Sequence, residues 1–346
     1  MTRKDVTRRA VLLPLLAGAL VVALLPGAAL AQSKTGTTIG QFLLIEPSAR
    51  IAAMGNAGVA LADGIQAVFY NPAAMGNLDR YHLQFTHSEW LADISYDYAA
   101  IAFPIENLGT FSASLTSLNS GDIDVRTVER PLGTGERYSV GNLALGAGYG
   151  RRLTDRFAAG LQLVYVQERI WHSTLQTVTA NVGTVYRVSD DGLQIGSSIS
   201  NYGTRARFGG RDLRVQYDND PDVYGDNSSL PAEQFTEEYA VPVLFRVGVS
   251  LPRRTGEESR LLLAVDAFHP NDNEESVSAG AEWSWREMIA LRGGYQDLFL
   301  GDAETGLTLG FGVRGALEGT KFDFDYAWAD HGRLNETHRV TFVLGF

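Results

Sequence analysis

The sequence predicts an all-β protein, namely a 14-stranded antiparallel transmembrane β-barrel with a short N-terminal hatch. Three observations lead to this class. Segments toward the C-terminus alternate large apolar residues with small or polar ones, the connections between them alternate in length, and the mean hydropathy is only -0.07. A helical membrane protein would need several apolar stretches of about 20 residues, which this composition excludes. The question left by composition alone is whether the strands form a membrane barrel or a soluble sandwich.

Residues 1–31 are predicted to be a cleavable signal peptide. A basic start is followed by an apolar run from Ala10 to Leu25, and Ala29-Leu30-Ala31 gives a small-residue cleavage site before Gln32. The apolar run is short for a membrane-spanning helix. The sequence therefore predicts export, with the mature protein periplasmic, extracellular or in the outer membrane. The barrel predicted below favours the bacterial outer membrane.

Residues 32–80 do not alternate and are predicted to form a hatch, or plug, inside the barrel. Asp63 is expected to cap a short helix over Gly64–Tyr70, which Asn71-Pro72 would end. Gly55 and Gly58 permit tight turns and close packing of the backbone. A segment of small residues leading into a barrel can fold within its lumen.

Residues 81–346 are predicted to be the transmembrane β-barrel. A barrel strand needs about 9–11 residues to cross the bilayer. Connections after even-numbered strands are short, whereas residues 119–138 and 202–240 follow odd-numbered strands. A secreted sandwich has no reason to separate loop lengths in this way, so the pattern favours the membrane barrel. The predicted strands lie near 81–89, 94–103, 109–118, 139–150, 157–168, 174–188, 193–201, 241–251, 259–268, 276–285, 288–296, 305–316, 321–329 and 337–346.

The last strand carries a second membrane signature. Phe342, Leu344 and Phe346 share one face, and a final amphipathic strand that ends in an aromatic residue resembles the assembly signal of outer-membrane barrels. The resemblance implies the barrel assembly machinery and outer-membrane lipid as partners. Tryptophans near strand ends, including Trp90, are expected to form girdles at the membrane interfaces.

The polar faces of the strands carry charges that are predicted to face the lumen. Ionisable groups at membrane depth could line a pathway, or they could pair with one another and hold the plug. Asp323 and Asp325 lie beside strands that bear Arg314 and Arg339, which fits the pairing interpretation. The full set is Arg246, Asp266, Glu282, Arg292, Arg314, Asp323, Asp325 and Arg339.

The hatch segment contains a recognisable motif. The run M-G-x-A-G-V-A-L-A-D, followed by N-P-A, resembles the start of PorV/PorQ-family proteins, which belong to the FadL-like superfamily. The match in sequence covers residues 48–78, and the match in architecture covers the mature chain. The family commonly has glycine where this chain has Asn56 and Ala74. The motif residues are Met54, Gly55, Gly58, Asp63, Asn71 and Pro72.

The resemblance implies one of two functions. PorV-like members work with the type IX secretion system, where the barrel binds the C-terminal signal domain of secreted cargo at the outer surface. FadL-like members transport long-chain fatty acids or other hydrophobic molecules, and this role is the alternative. A structural outer-membrane protein is a third possibility. The motif favours the PorV/PorQ branch.

Other classes of function are disfavoured by composition. Acids outnumber bases by 40 to 29, which argues against nucleic acid as a partner. The absence of cysteine excludes thiol catalysis, and the six histidines show no metal-binding spacing. No sequence pattern points to a cofactor, a metal site or a catalytic residue. We therefore predict that the protein is not an enzyme.

Overall fold

The fourteen predicted strands form a closed antiparallel barrel, which confirms the predicted fold class. The computed structural model describes residues 35–61, 63–189, 192–218, 222, 230–301 and 303–346. The predicted signal peptide lies outside the described residues. Each strand is hydrogen-bonded to the next, and the ring closes where the first strand pairs with the last, with Leu83 opposite Leu344.

The strands are β1 His82–Glu89, β2 Ser95–Ile105, β3 Gly109–Asp124, β4 Arg137–Thr154, β5 Phe157–Ile170, β6 Ser173–Arg187, β7 Gln194–Gly203, β8 Leu244–Arg254, β9 Ser259–Pro270, β10 Ser276–Trp285, β11 Ile289–Leu298, β12 Leu307–Leu317, β13 Thr320–Asp330 and β14 Glu336–Gly345. The long connection before β8 holds a short hairpin of Arg214–Tyr217 and Leu230–Glu233, and Gly209–Gly210 pairs with β6. Within the described ranges, no helix is long and apolar enough to cross a membrane.

Alternation along the strands separates an apolar outside from a polar inside. On β14, Phe342 is 39% exposed on the outer surface of the barrel, whereas its neighbour Thr341 is fully buried. On β12, Leu309 faces outward and Thr308 faces inward in the same way. In a bilayer such an outer surface contacts hydrocarbon, and closure of the ring pairs the backbone groups of every strand.

The two ends of the barrel differ in the length of their connections. The end with the longer ones, here called the outer end, includes residues 125–136 and 204–243. The turn between β5 and β6 is the exception, because only residues 171–172 join these strands there. β3 and β4 extend further than the sequence predicts, and Arg137 contacts Asp124 at 3.2 Å where they project beyond the apolar belt.

Residues 35–80, here called the inner segment, lie against the inward-facing side of the strands. It contains only short helical turns: Gln41–Leu44, Ala49–Ala52, Ile65–Ala67 and Pro72–Asn77. Most of its apolar side chains are buried, and Ile51, Met54 and Tyr70 have no exposed surface. The segment starts at the outer end, where Thr38 forms a bridge to Ala240, and leads to β1 at the opposite end.

Two local predictions for this segment are wrong. The turn Ile65–Ala67 follows Gly64 without a side-chain cap, because the Asp63 carboxylate instead binds Arg50. Asn71 begins a helical turn instead of ending one: its side chain accepts a hydrogen bond from the Ala73 N–H at 3.0 Å. Proline at the first helical position then fits the turn, because its missing N–H would have had no partner there.

Candidate functional site

The backbone of the inner segment packs directly against glycines of the barrel wall. A Cβ atom at Gly280 would lie 2.1 Å from the Met54 carbonyl oxygen, and one at Gly294 would lie 2.3 Å from the Gly55 nitrogen. The same holds at Gly196, 2.1 Å from the oxygen of Val59, and at Gly160, 2.2 Å from the oxygen of Pro72. These glycines on the inward faces of the strands therefore provide the contact surface for the inner segment.

The M-G-N turn of the motif has a left-handed backbone. Gly55 has a φ of 66° and Asn56 a φ of 60°. Asparagine is one of the few residues that adopts this conformation readily, so it can stand where the family commonly has glycine. The Gly55 N–H donates to the Thr308 hydroxyl at 3.0 Å, which fixes the turn to β12.

Asp266 of β9 holds the next turn of the motif. One of its carboxylate oxygens accepts hydrogen bonds from the N–H groups of Gly58 and Val59, at 2.7 and 2.8 Å. The side chain is fully buried. Further along, the Asn71 amide donates to the carbonyl oxygens of Val59 at 2.8 Å and Thr184 at 3.0 Å, which joins the inner segment to β6.

We expect Asp266→Asn to weaken the attachment of the inner segment by about 1–2 kcal/mol, because hydrogen bonds to a charged acceptor are roughly twice as strong as neutral ones. The measurement is the urea midpoint of unfolding in phospholipid vesicles, together with the rate of protease cleavage within residues 35–80. Asp97→Asn, on the outward face of β2, is the control. Equal effects of the two substitutions would contradict the role given to Asp266.

Glu282 of β10 is the centre of a buried ion cluster. Its carboxylate contacts Arg50 of the inner segment at 2.8 Å, Arg292 of β11 at 2.7 Å and Arg314 of β12 at 3.3 Å. Three guanidinium groups thus surround one carboxylate away from water. Since Arg50 belongs to the inner segment and the others belong to the wall, this cluster also joins the two.

Hydrogen bonds and ion pairs extend the cluster to neighbouring groups. Arg292 contacts Asp325 of β13 at 2.8 Å, and the Gln66 amide donates to the other oxygen of Asp325 at 2.6 Å. The Ser48 hydroxyl donates to the Gln66 carbonyl at 2.5 Å. Arg50 also contacts the motif residue Asp63, at 3.0 Å.

The remaining charges on the inward faces differ in their partners. Arg246 of β8 is 1% exposed, contacts Glu46 at 3.6 Å and lies over the ring of Tyr70. Arg339 of β14 lies over the ring of Trp90 at 5.8 Å, so this tryptophan faces the interior and not the predicted girdle. Arg314 contacts Glu282 instead of Asp323, which is half-buried on the same side of β13 as Asp325.

A cavity of about 790 Å³ opens at the outer end, above the ion cluster. Apolar side chains such as Phe42, Ile45 and Leu118 line it together with several carboxylates and Arg339. Burial raises the pKa of the Glu46 carboxyl at its floor above the ordinary value, although Arg246 and Arg339 act to lower it. Within the described ranges, no group of acidic or histidine side chains has a geometry that could hold a metal ion.

The predicted assembly residues lie on the outer surface. Phe342 and Phe346 are exposed there, and Leu344 is partly exposed on the same face of β14. The ring of Phe346 stacks on that of Tyr81 with 6.4 Å between centroids, next to Phe103. The end of the barrel opposite the long connections therefore carries an aromatic group where the chain terminates.

A closed barrel with an apolar outer belt, a polar interior and an inner segment defines this protein as an outer-membrane β-barrel. The family model described as "Type IX secretion system protein PorV" matches residues 28–206, which is more than half of the chain. The chain belongs to this family. The predicted family and the prediction of an outer-membrane component of type IX secretion are confirmed.

Solved structures with the same fold are outer-membrane channels. The CymD monoaromatic hydrocarbon channel is 11% identical, with a TM-score of 0.53, and 87% of this chain and 97% of that chain are covered. The Pseudomonas putida toluene transporter TodX is 12% identical, with a TM-score of 0.53 and coverage of 87% and 98%. A Pseudomonas aeruginosa FadL homologue is 11% identical, with a TM-score of 0.52 and coverage of 90% and 99%. A comparison with curated proteins gave no match.

Proposed function

We propose that this protein is a binding and shuttle component of type IX secretion that holds secreted cargo by a C-terminal signal domain at the outer end of the barrel. The observation that carries the proposal is the placement of the cavity. It opens at the outer end, where Phe42 and Ile45 of the inner segment line it, whereas the later part of the segment, from Met54 to Pro72, packs against wall glycines. Cargo contacts therefore fall on the outer cavity and the long connections, and the family description supports the same role.

In this proposal residues 32–80 act as a plug, and the inward charges hold it in place instead of lining a pathway. The contacts of Met54, Gly55 and Pro72 with wall glycines support this role. So do the ion cluster at Glu282 and the bonds to Asp266. A plug held by a buried charge network stays closed unless several paired groups are separated together, which suits a binding protein better than an open pore.

Export and assembly are part of the same proposal. Residues 1–31 would be removed by signal peptidase, and the barrel assembly machinery would recognise the final strand through Phe342, Leu344 and Phe346. N-terminal sequencing of the protein from outer membranes should begin at Gln32. Deletion of Phe346 should lower the amount of folded barrel in the outer membrane, while deletion of an exposed loop residue should not.

Capture of cargo tests the main proposal. We expect the tagged protein, isolated from its own outer membrane, to recover secreted proteins that share a homologous C-terminal domain, and that purified domain to bind the purified barrel. A variant with residues 204–239 replaced by a short Gly-Ser linker should lose this binding while remaining a folded barrel. Binding that survives the replacement would place the cargo contacts elsewhere, and no binding by the unaltered protein would refute the proposal.

The alternative is a transporter of long-chain fatty acids or other hydrophobic molecules. The apolar wall of the outer cavity, formed in part by Phe42, Ile45 and Leu118, favours it. Acyl chains extracted from the purified barrel, together with loss of uptake in a deletion strain, would support this alternative. A strain that takes up these molecules normally but fails to release secreted proteins would support the secretion role.

A further inference from the structure

Arg339 differs from the other arginines of the ion network because no described carboxylate lies within ion-pair distance of its guanidinium. The Glu46 carboxylate interacts with it electrostatically from further away and pairs with Arg246 instead. Arg50, Arg246, Arg292 and Arg314 each contact a carboxylate at 3.6 Å or less. Within the part of the chain that the structure describes, Arg339 forms no ion pair and its Nε has no hydrogen-bond partner. A buried unpaired charge is costly, so an arginine in this position requires an explanation.

The environment of Arg339 points its charge toward the outer cavity. The residue is 5% exposed, lines the cavity, and lies with its guanidinium over the Trp90 ring. Trp90 in turn contacts His331 edge to face, with 5.3 Å between ring centroids. The aromatic face holds the guanidinium in place without neutralising it, so its hydrogen-bond donors remain able to bind an anion from the cavity.

Most of the other charged groups around the cavity have the opposite sign. Asp272 accepts a hydrogen bond from Gln41 at 2.6 Å, and Asp297 accepts one from Ser276 at 2.8 Å. Neither aspartate forms an ion pair with any residue described in the structure. One Glu168 oxygen is buried without a hydrogen-bond partner among the same residues. The cavity therefore combines one anion-binding group with three carboxylates that have no ion-pair partner among the described residues. Glu46 and Glu304 also line it, but they pair with Arg246 and Arg333.

We propose that the outer cavity binds the C-terminal α-carboxylate of a polypeptide that carries a basic side chain close to its end. The carboxylate pairs with Arg339, the basic side chain meets the carboxylates, and apolar side chains of the peptide contact Phe42 and Leu118. This inference rests on the proposed function, since it specifies which part of a cargo domain the barrel contacts. A fatty acid offers the same carboxylate but no cation for the acidic wall, so the charges favour the peptide.

Binding of a labelled peptide to the full-length barrel in nanodiscs tests the inference. The probe is fluorescein-Gly-Ser-Lys-Val-Leu with a free carboxylate, and fluorescence anisotropy gives its Kd. We expect its C-terminal amide to bind about ten- to a hundredfold more weakly, because a charge-assisted pair is lost. Replacement of lysine by glutamine in the probe should also weaken binding, and should do so more at low than at high salt.

Variants of the protein connect these effects to particular side chains. Arg339→Gln should reduce binding of the free acid to the level of the amide and leave binding of the amide unchanged, whereas Arg339→Lys should restore part of the difference. Arg130→Gln, in an exposed outer connection, is the control and should change neither. Arg339→Gln should fold normally, since it leaves no buried carboxylate without a partner; its heat-modifiable mobility on gels checks this.

The outcomes separate this inference from the function on which it rests. Equal binding of acid and amide, or equal effects of Arg339→Gln and Arg130→Gln, would overturn it. Three results together would assign the site to a fatty carboxylate instead. Palmitate would displace the peptide, Arg339→Gln would abolish palmitate binding, and the lysine of the probe would not affect the affinity. If cargo domains bind equally well to Arg339→Gln and to the unaltered protein, the inference fails and the secretion role stands. If they bind to neither, the secretion role fails.

Discussion

Replacing Glu282 by glutamine should destabilise the barrel by about 3–5 kcal/mol, because breaking a buried ion pair leaves its partners charged and uncompensated. Three guanidinium groups lie within 3.3 Å of this carboxylate. Arg50 and Arg292 keep their ion pairs with Asp63 and Asp325, but Arg314 has no second carboxylate within ion-pair distance among the described residues. Glutamine has nearly the same shape as glutamate, so the expected loss of stability comes from the missing charge and not from a cavity.

The measurement is the free energy of unfolding from urea titration in phospholipid vesicles. Glu258→Gln is the matched control. Glu258, in the turn before β9, contacts Arg286, in the turn after β10, at 2.8 Å, and both side chains are about half exposed. An exposed pair contributes about 0–1 kcal/mol, so this variant should hardly change the unfolding midpoint. Similar changes in the unfolding free energy of the two variants would mean that the buried cluster stabilises the barrel no more than an exposed ion pair does.

Adding a single methyl group at Gly294 should displace the inner segment and open the barrel to ions. The new Cβ would lie 2.3 Å from the Gly55 nitrogen and the Met54 carbonyl carbon, and these are backbone atoms that cannot rotate away. Overpacking of this kind costs about 1–3 kcal/mol. We expect Gly294→Ala to increase conductance in planar bilayers and to accelerate protease cleavage within residues 35–80.

The neighbouring glycine provides a close control. A Cβ at Gly293 points to the outer surface, where its nearest atom is a flexible Leu309 methyl at 3.6 Å. Gly293→Ala on the same strand should therefore leave conductance and protease resistance unchanged. If both variants conduct like the unaltered protein, the inner segment does not close the lumen through its contact with Gly294.

Much of the barrel could be predicted because its signals are local. Alternation of Phe322, Phe324 and Tyr326 with Asp323 and Asp325 identifies a strand and both of its faces. The alternating lengths of the connections distinguish the two ends of the barrel, and the amphipathic final strand indicates a closed membrane barrel. The boundaries of β3 and β4 were harder to predict, because these strands extend beyond the apolar belt, where hydrophobic alternation no longer reports pairing.

The partners of the inward charges could not be predicted from adjacent strands alone. Asp325 contacts Arg292, two strands away, because the strand between them has Gly312 at this point and leaves room for the two side chains to meet. Arg50 reaches Glu282 only because the inner segment passes that point. The alternation did mark glycines on the inward faces, but their role as contacts for Met54 and Gly55 depends on the path of a distant segment.

The sequence by itself determined the number of strands, the face that most strand side chains take and the family motif, and it predicts an export signal at the N-terminus. These features depend on a residue and its near neighbours, since side chains alternate with a period of two along any strand. The tertiary structure alone decided that three arginines contact Glu282 and that no carboxylate of the described residues lies within ion-pair distance of Arg339. Those outcomes depend on strand register and on residues more than 200 positions apart that share one buried interior.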